Sequence, residues 1–175
     1  MNELLLSSPN KSHEKQALEY MQEHFSVGER DLHGASLLEK MPVYGDWLTH
    51  LKKTNNPRTA DPDWVTASTF FAVRKADKKI VGIIDIRHYL NDFLKGYGGH
   101  IGYGVRPSER RKGYATEILR LGLEYCKTIN LTHIMLACYK DNAASAKTIV
   151  KNGGIFEKEF EYTDGKTIQV YWVTL

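Results

Sequence analysis

The sequence is poor in the features that mark several specialised classes of protein. Its two cysteines, Cys126 and Cys138, fit no metal-ligand spacing, so we predict reduced thiols and no metal site. No apolar run approaches the length of a membrane span, and no basic and apolar leader opens the chain. No glycine loop leads into a Gly-Lys-Ser/Thr triplet, which excludes a P-loop nucleotidase. We therefore expect a cytoplasmic protein without a membrane partner.

The charge of the chain is too balanced for a dedicated nucleic-acid binder. The formal net charge is only +3, and no stripe interleaves aromatic and basic residues. Hydrophobic residues make up 42% of the chain and charged residues 26%, as in an ordinary globular protein. A chain of 175 residues is long enough to bury one core. The composition therefore predicts a single domain over residues 1–175 with no specific nucleic-acid partner.

The most informative stretch is a strand that leads through a basic loop into a helix. Residues 98–105 carry small side chains at alternate positions and predict the strand. Apolar residues recur at helical spacing after Gly113, so an amphipathic helix is predicted to begin there. The loop between them holds four basic residues and one acidic residue: Arg106, Glu109, Arg110, Arg111 and Lys112.

A loop of this kind is physically suited to an anion. The first N–H groups of a helix have no intrahelical partner, and the helix dipole adds partial positive charge there. Gly113 would let a bulky anion approach the backbone without meeting a Cβ atom, and Ala115 keeps a nearby position small. The pattern therefore predicts a phosphate or pyrophosphate site at this loop.

The remaining pattern predicts a layered fold of mixed type. Strands are expected within 3–7, 69–74, 80–87, 132–138, 155–162 and 167–174, in addition to 98–105. Helices are expected after Ser12, around Trp47, after Gly113 and after Asn142, with only a helical turn in 88–96. The resulting order of elements predicts an α/β or α+β fold with helices on both faces of a sheet.

Two motifs together resemble a known family. Arg110-x-x-Gly113-x-Ala115 after a strand resembles the Arg/Gln-x-x-Gly-x-Gly/Ala signature of the GNAT family of acyl-CoA-dependent N-acetyltransferases. Asn142-x-x-Ser145, followed by Lys-Asn-Gly-Gly at 151–154, resembles the Asn-x-x-Ala/Ser and Lys-x-Gly-Phe pattern of the same family. The likeness covers essentially the whole chain. The phrases Gly-Gly-His-Ile-Gly-Tyr, Arg-Pro-Ser-Glu-Arg and Asn-Gly-Gly are similar to an uncharacterised subgroup of predicted acetyltransferases.

The resemblance implies the GNAT fold and a coenzyme A site. It implies a central mixed, mostly antiparallel sheet of about seven strands with a splayed parallel pair, flanked by about four helices. Acetyl-CoA would enter where the strands part after Val105 and Cys138, and an N–H near Val105 would polarise the acetyl carbonyl. The loop would hold the pyrophosphate. The cofactor-binding residues implied by the resemblance are Val105, Arg110, Arg111, Lys112, Gly113, Tyr114, Ala115, Thr116, Asn142 and Ser145.

The catalytic residues are less clearly marked. The family commonly protonates the leaving thiolate with a Tyr two residues before the motif Lys, a position that Ile149 occupies here. Tyr139, water or no acid at all are the alternatives. His100 has the pKa range of a base for the acceptor ammonium, but strand alternation turns it away from the face that carries bases in the family. A packed His100 is therefore the competing interpretation, and Tyr103 either faces the thioester or packs.

Several other residues have two interpretations each. Asp85, Arg87 and His88 form a polar strand end that either meets an acceptor or is solvated. Three aromatic residues either line an acceptor pocket or pack in the core: Tyr44, Trp47 and Trp64. Arg106 either contacts phosphate or forms an ion pair with Glu109.

The sequence therefore predicts an acetyl-CoA-dependent N-acetyltransferase that acts by direct transfer in a ternary complex. The acceptor is a primary amine, on a small molecule or on a peptide or protein, and the sequence does not choose between them. The alternative is a non-catalytic acyl-CoA-binding or sensor module of the same fold, which Ile149 favours. The oligomeric state is open, although the resemblance implies that the last strands can pair across a homodimer.

Overall fold

The computed structural model describes residues 3–175. The helices and strands follow in this order: β1 (Leu4–Ser7), α1 (Glu14–Ser26), α2 (Tyr44–Thr54), β2 (Ala67–Arg74), β3 (Ile80–Arg87), α3 (Asp92–Gly96), β4 (Ile101–Val105), α4 (Tyr114–Thr128), β5 (His133–Tyr139), α5 (Ala143–Lys151), β6 (Ile155–Glu161) and β7 (Thr167–Thr174). The predicted fold class and the number of strands are confirmed. The additional helix is α3, which Asn91 caps by accepting a hydrogen bond from the Leu94 N–H.

The strands form two sheets that meet at a single point. One sheet has the order β1-β2-β3-β4 and the other β5-β7-β6, and all neighbouring strands within each sheet are antiparallel. Between the sheets lies an isolated bridge from Gly99 to Leu136. Strands β4 and β5 are therefore facing edges with almost no pairing between them.

Helices cover both faces of the larger sheet, because its strands carry apolar side chains on both faces. On one face α4 packs Ile118 and Leu119 against Ile84 of β3. On the other face α1 and α2 pack Tyr20 and Trp47 against the sheet. Burial on both faces explains the nearly continuous apolar sequence of β3.

The glycines of β4 let a loop lie directly on the strand. A Cβ atom on Gly102 would come within 3.4 Å of the Gly34 backbone, and one on Gly104 would lie 2.8 Å from the His33 carbonyl oxygen. Gly34 itself has φ +75°, and its own Cβ would lie 2.5 Å from the Gly102 carbonyl oxygen. The segment between α1 and α2 is therefore held against β4, beside the edge that faces β5.

Among residues 3–175, no helix is both long and apolar enough to cross a membrane.

Candidate functional site

The gap between β4 and β5 exposes backbone hydrogen-bonding groups on both sides. The carbonyl of His100 and the N–H of Arg106 bond to β3. Backbone groups alternate in direction along a strand, so the N–H and C=O groups of Ile101, Tyr103 and Val105 turn toward the gap. On β5 the same alternation turns Ala137 toward the gap. Among residues 3–175 these groups have no partner strand, and they form a double edge that an extended amide-containing ligand can pair with.

His100 marks the end of the contact between the two edges. Its N–H donates to the Met135 carbonyl at 2.8 Å, and its Nδ1 accepts from the Met135 N–H at 2.9 Å. Pairing stops there, so the strands part at His100 and Leu136. The predicted parting after Val105 and Cys138 is wrong, because among residues 3–175 no backbone hydrogen bond joins the two edges beyond His100.

The loop before α4 presents a row of unpaired N–H groups. Arg111 (φ 62°) and Gly113 (φ 84°) both have left-handed backbone conformations, a combination that turns successive N–H groups into one concavity. Within residues 3–175 no hydrogen bond is formed by the N–H groups of Arg111, Lys112, Gly113, Ala115 or Thr116. The first bond of the helix runs from the Glu117 N–H to Gly113. This arrangement is a ready site for a phosphate group.

Three of the four basic side chains of the loop are held by carboxylates: the buried Arg106 and the exposed Arg110 and Lys112. Arg110 makes a bidentate ion pair with Glu29, with both distances 2.8 Å, and its Nε donates to the Val105 carbonyl. Lys112 lies 2.9 Å from Glu109. Arg111 is exposed and is left with no ion pair among the described residues. The loop therefore offers backbone N–H groups more than free positive side chains.

Arg106 is a structural residue. It is buried, donates to the Ile80 carbonyl, pairs with Glu23 at 3.1 Å and lies over the Tyr20 ring. The interpretation of Arg106 as the partner of Glu109 is wrong, because it pairs with Glu23 of α1. Glu23 also accepts from the Ser108 N–H and so holds this end of the loop. The loop is thereby tied to α1 at two points, through Glu23 and Glu29.

Glu109 lies at the centre of a cationic cluster. It is 4% exposed and accepts hydrogen bonds from Arg74, Lys79 and Lys112. Although burial opposes ionisation, those three cations together lower the pKa of Glu109 to about 2. This carboxylate therefore ties the loop to Arg74 and Lys79 without using the backbone N–H groups of the loop.

A pair of hydroxyl groups bridges the gap from β4 to α5. The Tyr103 hydroxyl lies 2.9 Å from the Ser145 hydroxyl, and the nearby Ser145 partly offsets the burial that raises the pKa of the Cys138 thiol. Burial raises the pKa of Tyr103 to about 12, so both hydroxyls keep their protons at neutral pH. The sequence assigned Ser145 to the cofactor and left Tyr103 open, and no signal in it indicated that the two would meet.

The other residues of the second motif have local roles. Asn142 caps α5, and its side chain accepts from the Ser145 N–H at 3.1 Å. The hydroxyl of Tyr139 donates to Asp164 at 2.8 Å, and contacts with Tyr97, burial and Asp164 raise its pKa. Tyr139 therefore points to the β6–β7 turn in this structure, while Ser145 faces the gap.

The two residues that depart from the family pattern, Ile149 and Gly154, contact each other and compensate in size. Ile149 is 1% exposed and fills the core beneath α5. A Cβ atom on Gly154 would overlap the Ile149 Cγ2 methyl and lie 2.9 Å from the Ile149 carbonyl oxygen. Ile149 therefore requires glycine at 154, and neither position offers an acid.

Gly154→Ala is expected to lower the free energy of unfolding by about 1–3 kcal/mol, because the added methyl meets backbone atoms that cannot move away. Gly45→Ala is the matched control, since a Cβ there meets nothing within 4 Å and alanine favours helix. Urea denaturation measures both. An unchanged midpoint for Gly154→Ala would contradict the proposed contact.

The polar residues on the acceptor side divide into two groups. Asp85 is buried, accepts from the Thr69 hydroxyl at 2.7 Å and lies 3.4 Å from Arg87 Nε; burial raises its pKa. The ring of His88 instead contacts the Ser68 hydroxyl at 2.8 Å. Asp85 and Arg87 therefore lie together next to β4, on the face covered by the α1–α2 segment.

Of the three aromatic residues considered for the acceptor, two pack in the core. Tyr44 and Trp47 are buried, and the Trp47 indole donates to the Ala35 and Ser36 carbonyls. Trp64 is 43% exposed. It lines a cavity of about 230 Å³ with five other residues: Leu37, His50, Lys53, Thr54 and Asp61.

The structure describes no cluster of three or more His, Cys, Asp or Glu residues that could hold a metal ion within residues 3–175.

Comparison with known proteins identifies the family. The sequence model of the acetyltransferase (GNAT) domain matches residues 41–155. No curated protein sequence is significantly similar to the chain.

Solved structures of the same architecture cover nearly the whole chain. A ribosomal-protein-S5-alanine acetyltransferase from Vibrio fischeri superposes with a TM-score of 0.75 at 18% identity, covering 99% of this chain and 94% of that one. The microcin C7 self-immunity acetyltransferase MccE, in complex with acetyl-CoA and AMP, gives 0.69 at 17%, covering 100% and 94%. RimL, a ribosomal L7/L12 alpha-N-protein acetyltransferase in complex with coenzyme A, gives 0.70 at 15%, covering 100% and 96%. At these identities the likeness establishes the fold.

Proposed function

The chain belongs to the GNAT acetyltransferase family, and on that premise we propose that it is an N-acetyltransferase that passes an acetyl group from acetyl-CoA directly to a primary amine. The observation that carries the proposal is the continuity of two features. The row of free N–H groups before α4 suits a pyrophosphate, and the unpaired edge of β4 that leads away from it suits the amides of pantetheine. One extended phosphorylated ligand satisfies both.

In this proposal the predicted cofactor-binding residues divide the work unevenly. The backbone from Arg111 to Thr116 holds the pyrophosphate, and the side chains of Arg110 and Lys112 shape the loop through their carboxylate partners. Asn142 presents Ser145 by capping α5. Tyr114 is buried and anchors the first turn of α4 through its hydroxyl, which accepts from Arg74.

The chemistry proposed for this site uses groups that face the gap. Bound acetyl-CoA supplies a thioester, and the Val105 N–H donates a hydrogen bond to its carbonyl oxygen as the amine nitrogen adds to the carbonyl carbon. When the carbon–sulfur bond breaks, Ser145 donates its proton to the sulfur and takes one from Tyr103, to which it is hydrogen-bonded. The nitrogen gives up its extra proton to solvent as the amide forms, and a proton from solvent restores Tyr103.

The acceptor is proposed to approach over the α1–α2 segment, from the side of Asp85 and the cavity at Trp64. Two of the similar structures are named for the acetylation of ribosomal proteins, one of them at an alpha-amino position. A peptide N-terminal amine is therefore tested beside small-molecule amines. Both cysteines are unpaired, which accords with the cytoplasmic setting that we propose for a single domain of residues 1–175.

The competing function is a non-catalytic acyl-CoA-binding module, which the buried Ile149 favours because no acid occupies its position. A panel of peptide, polyamine and amino-sugar amines with acetyl-CoA, monitored by release of free thiol, separates the two. Turnover with any amine above the rate of thioester hydrolysis supports the enzyme. Acetyl-CoA binding without turnover across the panel supports the binding module.

A further inference from the structure

The Arg87 side chain lies beside β4 on the face of the sheet that the α1–α2 segment covers. The side chain of Tyr103 packs toward α4, so its neighbour Gly102 faces the α1–α2 segment. Arg87 Nη2 lies 3.4 Å from the position that a Cβ atom on Gly102 would take. An acceptor that contacts Arg87 therefore approaches from one face of the sheet, while Ser145 meets Tyr103 on the other.

A second hydrogen-bond donor lies at the same place. The backbone nitrogen of Gly34 is 3.3 Å from that same Cβ position on Gly102. Among residues 3–175, neither the Gly34 N–H nor Arg87 Nη2 donates a hydrogen bond. Because residue 102 is glycine, no side chain extends from the strand beside them. Two donors without an acceptor in the described chain therefore lie over β4, next to the gap.

The rest of the guanidinium is held in place by the protein. Arg87 Nη1 donates to the carbonyl oxygens of Gly98 and Gly99 at 3.3 and 3.2 Å. Arg87 Nε lies 3.4 Å from Asp85 Oδ2. The orientation of the side chain is therefore set before a ligand binds, which lowers the entropy that binding costs.

The charge that this cluster offers to a ligand is positive. The side chain of Arg87 is 23% exposed and that of Asp85 only 8%, and Asp85 already accepts a hydrogen bond from the Thr69 hydroxyl. Burial, together with the nearby Arg87 cation, lowers the pKa of His100 to about 4, so its ring is neutral at neutral pH. A ligand at this place therefore meets the guanidinium rather than the buried carboxyl group.

This pair of donors suits a carboxylate that is close to the reacting amine. A carboxylate has two oxygens that can accept from a guanidinium N–H and from a backbone N–H. Gly102 and Val105 are three residues apart on β4, a distance of about 10 Å. When roughly 3 Å is taken by a hydrogen bond at each end, only a few bonds separate the carboxylate from the amine. Free amino acids have this arrangement, whereas a peptide N-terminus carries a neutral amide in place of the carboxylate.

We propose that Arg87 selects the acceptor by binding a carboxylate that lies a few bonds from the reacting amine, so that the preferred acceptors are free amino acids. The Gly34 N–H donates to the same carboxylate. The proposal rests on the proposed function, since it takes acetyl transfer to a primary amine as the reaction.

Matched pairs of amines test this role. Glycine, β-alanine and γ-aminobutyrate are each compared with their carboxamides, and kcat and KM are measured with acetyl-CoA by release of free thiol. Acids and amides differ in intrinsic reactivity, so the quantity compared between proteins is the acid-to-amide ratio of kcat/KM. We expect Arg87→Gln to lower this ratio roughly tenfold or more, through a higher KM for the acid alone.

Arg120→Gln is the matched control. Arg120 is exposed on α4 and pairs there with Glu117, so its substitution removes the same charge away from the acceptor face. We expect the acid-to-amide ratio of this variant to stay within about threefold of that of the original protein. A thermal melt and calorimetry with acetyl-CoA establish that each variant is folded and binds the cofactor.

Arg87→Lys carries the test if Arg87→Gln does not fold. It keeps the charge but loses the planar fork, and we expect it to lower the ratio about threefold or more. An unchanged ratio in a folded Arg87 variant, or an equal loss with acids and amides, would overturn the proposal, because Arg87 would then only support the turn at Gly98 and Gly99. Turnover of polyamines or peptides but of no amino acid would also overturn it. No turnover by the original protein with any amine would instead refute the proposed function.

Discussion

Gly113→Val is expected to weaken the affinity for acetyl-CoA by about a hundredfold or more. Gly113 has φ 84° and begins α4, so a β-branched side chain is strained there and distorts the row of N–H groups on both sides of it. A Cβ atom added at this position would have no other part of the protein within 4 Å. The valine would therefore occupy open space beside the N–H groups, where the phosphate is proposed to bind.

Gly165→Val separates loss of the site from loss of the fold. Gly165 has φ 78° and equally open surroundings, and it lies in the turn between β6 and β7, so the backbone strain is matched while the loop is untouched. Calorimetry with acetyl-CoA and a thermal melt are measured on both variants. A Gly113→Val protein that binds acetyl-CoA normally would contradict the assignment of the loop.

The second large effect is expected at the hydroxyl pair. Ser145→Ala should lower kcat roughly 10- to 1000-fold with little change in acetyl-CoA affinity, because it removes the proton donor while the N–H that Asn142 caps remains. Tyr103→Phe should lower kcat by a smaller factor, since Ser145 can draw a proton from water. The double variant should be no slower than Ser145→Ala, because the two hydroxyls act in series.

Tyr139→Phe tests the alternative acid. Its hydroxyl is bonded to Asp164 at the β6–β7 turn, so we expect kcat to change by less than about threefold. Steady-state kinetics with the best amine of the panel measure all four variants. A large loss in Tyr139→Phe with a normal rate in Ser145→Ala would exchange the roles of the two residues.

Local signals in the sequence explain why the fold was predicted so closely. Gly113 at the start of α4 and Asn142 at the start of α5 are both cap residues, and their chemistry is legible from neighbouring positions alone. The short α3 was read as a turn because its five residues carry too little periodicity to indicate a helix. Its capping Asn91 was the available signal.

The ion pairs of the loop could not be predicted from the sequence, because their partners lie far away along the chain. Local spacing offers Arg106 either a phosphate or the neighbouring Glu109, whereas its partner Glu23 lies 83 residues away. Arg110 similarly finds Glu29 at a separation of 81 residues. Ion pairs of this kind depend on how α1 packs beside the loop, which periodicity does not specify.

For His100, the sequence indicates burial but not the hydrogen bond that its ring makes. Strand alternation correctly raised the possibility of a packed residue, and the ring is buried. The alternation gave no hint that Nδ1 accepts from Met135, because β5 lies beyond the whole of α4 in the sequence. The compensation between Ile149 and Gly154 was equally hidden, although both departures were visible.

The central claim is that the loop and the gap together form an acetyl-CoA site. The most direct measurement is calorimetric titration of the folded protein with acetyl-CoA, with ATP as a phosphate-bearing control. The account predicts micromolar binding of acetyl-CoA with one site per chain and far weaker binding of ATP, which lacks the pantetheine that pairs with the edge of β4. No heat of binding with acetyl-CoA, or equal binding of both ligands, would contradict the account and leave only the fold.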